Sequence, residues 1–214
     1  MKIIEVCELS KKYHHHTVLK NVSLSIEKGN CYLLIGNNGA GKSTLIKCLL
    51  GITVFKGVII KRITKMGYVP EKMFLPLHLS VSRFLKEVAY VKGISVGIDT
   101  LIETHLKKWN LSDKKDSLIK TLSKGMMQKV SIIQCLMDNN EVIIFDEVLN
   151  GLDQENQALL FETIKDLKKQ GVTFIVSSHY PKEYLEVVDR VIEIKNKRVF
   201  EYDKSVYQTN KMPL

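Results

Sequence analysis

The sequence predicts an α/β protein: a largely parallel sheet wound with helices, an antiparallel β-subdomain near its start, and a helical subdomain inserted in the middle. Three observations carry this reading. An apolar run, Cys31 to Ile35, opens directly onto the loop Gly36-Asn37-Asn38-Gly39-Ala40-Gly41-Lys42-Ser43-Thr44. Two more unbroken apolar runs, Val142–Phe145 and Thr173–Val176, have the length and composition of parallel strands covered on both faces. Between them and the loop, at about residues 72–137, apolar residues recur at helical spacing. The 214 residues, 45% of them hydrophobic, suffice for one sizeable core with a smaller lobe. No linker rich in Pro, Gly or Ser divides the chain, so residues 1–214 are expected to form a single domain.

Taken in order, Ile3–Cys7 and Val22–Ile26 read as short strands, the second with alternating apolar positions. Cys31–Ile35 reads as a buried strand. The helix after the glycine loop is expected from Thr44 to Leu50, with Gly51 as its C-cap. Ser80 is placed to cap a helix carrying Val81, Phe84, Leu85, Val88 and Val91, and Leu101, Ile102, Leu106 and Trp109 mark a second. Ser123 to Lys129 opens a third helix, whose inner positions are Val130, Ile133 and Met137. Ala158–Lys169 is a helix with Leu160, Ile164 and Leu167 on one side. Val191–Ile194 and Arg198–Tyr202 flank Asn196-Lys197 as a terminal hairpin.

Bulk properties exclude several function classes. Net charge is +9, from 32 basic and 23 acidic residues, and only Arg62, Arg83, Arg190 and Arg198 are arginines. The lysines are scattered without a dense block, as on solvated helix faces, so no nucleic-acid partner is expected. Cys7, Cys31, Cys48 and Cys135 form no Cys-x-x-Cys pair, and Cys31 and Cys48 sit in apolar contexts, as small core residues in a reducing compartment do. His14-His15-His16 is expected in a surface turn. The start of the chain lacks signal-peptide character, and no apolar run approaches the roughly 18–20 residues needed to span a bilayer. A membrane role is therefore expected only through a partner.

The chemistry concentrates in five motifs. The loop from Gly36 to Thr44, between a strand and a helix, has the form of a phosphate-binding P-loop. Its glycines let the backbone turn and aim N–H groups inward, and the positive end of the next helix points at the same place. Lys42 can neutralise outer phosphates, and the Ser43 hydroxyl can ligand Mg²⁺. The strand Val142–Phe145 ends in Asp146, able to hold Mg²⁺ through water, and Glu147, able to polarise a water against a γ-phosphate. Leu122-Ser123-Lys124-Gly125-Met126 starts a helix, and Ser-x-Gly at such a start is an anion site. Asn150-Gly151-Leu152-Asp153 follows. Ser177-Ser178-His179 then places an imidazole at a strand's C-terminal end, where α/β proteins gather reactive groups.

Together and in this order, these motifs resemble the nucleotide-binding subunits of ABC transporters over residues 2 to 203. The resemblance implies the ABC type of P-loop ATPase fold, with ATP and Mg²⁺ as ligands. Tyr13 matches the aromatic residue that stacks on adenine. Gly36, Asn37, Asn38, Gly39, Ala40, Gly41, Lys42, Ser43 and Thr44 match the phosphate and Mg²⁺ loop, and Glu147 matches the catalytic base. Ser123, Gly125 and Met126 match the signature that reaches ATP bound to the opposite subunit. Asp153 matches the turn that couples two sites, and His179 matches the switch histidine that senses the γ-phosphate. Where relatives usually have Gln, this chain has Glu71 after Gly67-Tyr68-Val69-Pro70, still able to accept from a Mg²⁺-bound water but not to donate. Glu71 and Ser123-Lys124-Gly125-Met126 look like the exporter ATPases of the drug, sodium and haem type. Val148-Leu149 replaces the usual Pro-Thr, and the stretch from Gly51 to Gly67 is shorter than usual.

The implied function is an ATPase that energises an exporter as two ATPase subunits clamp ATP between them. Its implied partners are a multi-spanning membrane permease and a second copy arranged head to tail, or a paralogous ATPase. Its implied place is the cytoplasmic face of the cell membrane, peripheral through the permease. The rival class is a soluble ABC ATPase acting on ribosomes or DNA. Such proteins carry two of these domains or long coiled coils, and neither is found in this sequence. A catalytically silent assembly module is disfavoured by Lys42, Asp146, Glu147 and His179.

Overall fold

A computed structural model describes residues 1–211 and arranges their strands in two sheets. Strands β1 (Lys2–Tyr13), β2 (His16–Glu27) and β4 (Lys56–Lys61) form an antiparallel sheet in the order β2-β1-β4. Strands β3 (Cys31–Ile35), β5 (Met66–Val69), β6 (Val142–Asp146), β7 (Thr173–Ser177), β8 (Arg190–Lys195) and β9 (Arg198–Asp203) form the second, ordered β5-β6-β7-β3-β8-β9. Its pairings are parallel except for the β8–β9 hairpin, which turns at Asn196 and Lys197, both at positive φ.

The first two strands are longer than their sequence suggests. They pair from Lys2↔Glu27 to Tyr13↔His16, and the exposed His14-His15 forms the turn between them. Register shifts along the pair, with Glu8 at φ 52°, break the period-two pattern, so alternation is visible only in fragments. Neither β4 nor β5 has a pattern of its own to announce it. The first leaves Val58 and Ile60 exposed and exists through its pairing with β1; the second has four residues and leans on β6.

The helices largely follow their apolar spacing. Helix α1 (Lys42–Leu50) begins two residues earlier than Thr44 and ends on Gly51, whose φ of 79° and N–H to the Cys48 carbonyl make it the C-cap. Helix α2 (Val81–Val91) is capped by Ser80 and buries Val81, Leu85 and Ala89, while Val91 points to solvent. Helix α3 (Ile98–Lys108) buries Ile102 and Leu106 and ends on the buried Trp109, and α4 (Lys124–Leu136) buries Val130 and Ile133. Helix α5 (Gln154–Lys169) starts four residues before Ala158 because the Asp153 carboxylate caps it, accepting from the Asn156 N–H at 2.9 Å. A last helix, α6 (Lys204–Lys211), unmarked in the sequence, brings Tyr207 against Tyr202.

The parallel strands are buried on both faces because each residue of a strand feeds one of two cores. Cys31, Leu33, Ile143, Phe145, Phe174 and Val176 face the core shared with α2 to α5. Tyr32, Leu34, Val142, Ile144 and Ile175 face the other, closed by α1 and the antiparallel sheet. Cys31, Cys48 and Cys135 are buried and Cys7 is exposed, all four as free thiols. Among the described residues, no helix is long and apolar enough to cross a membrane.

Candidate functional site

Parallel strands put their C-terminal ends at one edge of a sheet, and here four of them deliver the glycine loop, the carboxylates and the histidine of the main site to that edge. From β3 comes the glycine loop. It must pass close to its neighbours: a Cβ on Gly36 would lie 2.8 Å from the Ile194 carbonyl oxygen, and one on Gly41 3.0 Å from the side-chain atom Val18 Cγ1. Both glycines also have positive φ, 153° and 114°, which only glycine adopts without strain. Gly41 is the residue just before α1, so that helix presents its first N–H groups to the loop's concavity.

Lys42 is 7% exposed, and its ammonium donates to the Gly36 carbonyl at 2.9 Å. Burial lowers its pKa, while Glu147, Asp146 and Glu71 act against that loss of charge. The lysine is thus held over its own loop by the Gly36 carbonyl and faces acids from two separate segments. A phosphate entering there would meet a cation already desolvated and oriented.

Strand β6 ends in the carboxylates. Asp146 is 2% exposed and accepts from the Ser177 hydroxyl on β7. Glu147 sits at φ 53°, a left-handed conformation that a non-glycine residue holds only when its surroundings fix it. Ser177 fixes it: the Glu147 N–H donates to the Ser177 hydroxyl at 3.1 Å and to the Ser177 carbonyl at 3.3 Å. One buried serine therefore grips both carboxylate residues. The Glu147 side chain is turned to His179, whose Nε2 lies 3.2 Å from Oε1 and whose N–H donates to Oε2 at 3.3 Å. The first contact is not aligned as a hydrogen bond, so Oε1 is left without a donor although buried. Burial raises the Glu147 pKa, opposed by His179 and Lys42. A buried carboxylate oxygen lacking a donor is an open acceptor, and a water proton is a natural partner for it.

Glu71 follows β5, and the preceding Tyr68 faces Asp146; burial and that carboxylate push the Tyr68 phenol up to about 12, so it stays a neutral donor. Tyr13 comes from the end of β1, 41% exposed. Together Tyr13, Val18, residues 37–44, Glu71, Asp146, Glu147 and His179 line one cleft of about 450 Å³. Gly36 is not part of that lining and serves through its carbonyl, which accepts from Lys42. Sequence reasoning missed Ser177, Tyr68 and Val18 as parts of this site. Ser177 was legible only as the residue beside Ser178-His179, and Tyr68 only as part of the Gly67-Tyr68-Val69-Pro70 run that precedes Glu71.

Ser123, Gly125 and Met126 do not join this cleft. They line a second one of about 240 Å³ with Lys129, Gly151, Leu152, Asp153 and Asn156, and the two linings share no residue. Ser123 caps α4 by accepting from the Met126 N–H at 3.2 Å. Gly125 packs so tightly on the turn before α5 that a Cβ would lie 2.5 Å from the Gly151 carbonyl oxygen. The signature segment and the Asp153 turn are therefore one packed unit. Asn156 Oδ1, also in this cleft, is buried without a donor.

Similarities to known proteins agree with this anatomy. The ABC transporter family matches residues 19–150. An uncharacterised ABC transporter ATP-binding protein of Methanocaldococcus jannaschii is 34% identical over 94% of this chain and 77% of its own. A lantibiotic transport ATP-binding protein of Streptococcus pyogenes is 33% identical over 95% of this chain and 93% of its own. A zinc import ATP-binding protein of Roseobacter denitrificans is 31% identical over 90% and 75%. Among solved structures, an ATP-binding subunit of an ABC transporter superposes with a TM-score of 0.90 at 27% identity, covering 97% of this chain and 92% of that one. With a P-loop, paired carboxylates and a strand-end histidine in one cleft, the chain belongs to the ABC transporter family, as an ATP-binding, ATP-hydrolysing subunit.

Proposed function

We propose that this subunit energises an exporter by ATP-driven, head-to-tail dimerisation with a second copy or a paralogous ATPase. The observation that carries the proposal is the separation of the two clefts: the signature residues share no lining with the P-loop of their own chain. An anion-binding helix start remote from the P-loop gains a purpose if it meets ATP held by another subunit. In this reading Tyr13 stacks on adenine, residues 36–44 cradle the phosphates, and Lys42 exchanges the Gly36 carbonyl for phosphate oxygen. Glu147 orients the attacking water, and His179 contacts the γ-phosphate. Ser123, Gly125 and Met126 close the site from the opposite subunit, with Asp153 beside them.

The residues also fit Mg²⁺. Ser43, Glu71 and Asp146 are hard oxygen donors on one cleft, the kind of donor set that ion takes, and Asp146 is already oriented by Ser177. Bound there with ATP, Mg²⁺ would neutralise charge developing on the phosphate oxygens. The chain acts as a single domain over residues 1–214, with about 72–137 as its helical subdomain. It works at the cytoplasmic face of the membrane, through a multi-spanning permease docked near Glu71 and that subdomain. Export is supported by Glu71 and by Ser123-Lys124-Gly125-Met126, while the likeness to a lantibiotic transport protein supports transport. The comparable likeness to a zinc import protein means that direction rests on the motif variants.

The test is a pair of crippled subunits. Ser123→Arg puts a bulky cation at a helix N-terminus, where it opposes the dipole. The variant should bind ATP with near-normal affinity but neither dimerise nor turn over. Mixing it with Lys42→Ala subunits should recover hydrolysis at the one composite site with both halves intact. Full ATPase activity in Ser123→Arg alone would refute the trans-acting arrangement.

A further inference from the structure

Lys11 is left over from everything above, yet it touches the site. Lys11 lies two residues before Tyr13 near the end of β1. Its ammonium lies 4.5 Å from the centroid of the Tyr13 ring, within cation–π range. The same ammonium donates to the Val54 carbonyl at 2.6 Å. Val54 belongs to the short segment between α1 and β4. Lys11 is also near enough to Cys48 on α1 for its charge to oppose the burial that raises that thiol's pKa. The Val54 carbonyl thus fixes the position of the cation, and the cation fixes the ring. Tyr13 lines the 450 Å³ cleft and Lys11 does not, so the ammonium backs the ring from outside the cleft.

We infer that Lys11 is a positioning residue for the nucleobase: clamped by the Val54 carbonyl, it holds the Tyr13 ring as a preformed stacking platform for a purine. The inference rests on the reading that Tyr13 stacks on adenine. Tyr13 is 41% exposed, and an unbacked ring at the end of a strand would sample several rotamers, only some of them competent. The ammonium removes that penalty. It also draws electron density toward its own face, leaving the cleft-side face less negative and better suited to an offset stack. Lys11 reaches no phosphate in this arrangement, so its contribution belongs to the base alone.

The test compares ATP with inorganic tripolyphosphate, which has no base, by calorimetry on the full chain. Lys11→Met keeps the aliphatic stem and removes the cation. It should weaken ATP binding about threefold, as expected for one exposed cation–π contact, and leave tripolyphosphate binding unchanged. Lys11→Arg, which keeps a cation over the ring, should restore ATP affinity. In a Tyr13→Ala background, Lys11→Met should have no further effect. An equal loss for both ligands, or a loss that persists without Tyr13, would overturn the inference by making Lys11 a general electrostatic contributor. If Tyr13→Ala lowers the preference for ATP while Lys11→Met changes nothing, this inference falls alone. If Tyr13→Ala leaves that preference intact, the stacking reading falls and takes this inference with it.

Discussion

Replacing Ser177 with alanine tests whether one buried hydroxyl holds the paired carboxylates of the cleft in place. Ser177 is fully buried, and its hydroxyl donates to Asp146 and accepts from the Glu147 N–H at 3.1 Å. The first bond goes to a charged group, worth roughly 1.5–3 kcal/mol, and its loss leaves a buried carboxylate oxygen unpaired. The second is cushioned, because the Glu147 N–H keeps the Ser177 carbonyl at 3.3 Å; its loss is worth about 0.5–1 kcal/mol. The cavity left by one oxygen is small. Ser177→Ala should therefore destabilise the chain by about 2–4 kcal/mol in urea denaturation. The left-handed Glu147 would lose part of what fixes it, so ATP turnover should fall by about 10- to 100-fold, as misplacement of a catalytic group does. ATP affinity, carried by the loop, should change far less. A loss under about 0.5 kcal/mol with normal turnover would refute the assignment, because a hydroxyl so placed cannot be removed silently.

Two further outcomes are expected. Glu147→Gln keeps the shape of the side chain but cannot take a proton, so it should abolish hydrolysis and accumulate an ATP-bound dimer; gel filtration with ATP and Mg²⁺ showing only monomer would count against it. Gly67→Ala on β5 should cost about 1–3 kcal/mol by overpacking, since a Cβ there would lie 2.5 Å from Cys135 Sγ and 2.8 Å from Asn140 Nδ2. Cys135→Ala should recover part of that loss, and an unshifted urea midpoint for Gly67→Ala would refute the contact.

How much of this could be read without coordinates depended on whether a residue's role is set by its sequence neighbours. Cys31–Ile35 and Thr173–Val176 needed no context, because a strand buried on both faces reads as a nearly continuous apolar run. The glycine loop was equally plain: its glycines meet a local backbone demand, and its lysine and serine follow at fixed offsets. Helices α2 and α4 announced themselves through Ser80 and Ser123, caps that act within their own first turn.

What the tertiary structure decided is which separately legible pieces meet. Glu71, the Asp146-Glu147 pair and His179 fall far apart in sequence and share a cleft because β5, β6 and β7 run parallel in adjacent positions. The signature residues, just as legible, were assigned elsewhere, since α4 packs its Gly125 on the Gly151 carbonyl instead of on the P-loop. Strands β4 and β5 stayed hidden because their order comes from hydrogen bonds to β1 and β6, which no local pattern records. Ser177 and Lys11 stayed hidden for a related reason. A serine gripping two carboxylates and a lysine backing a tyrosine are defined by partners that only the folded chain brings within reach.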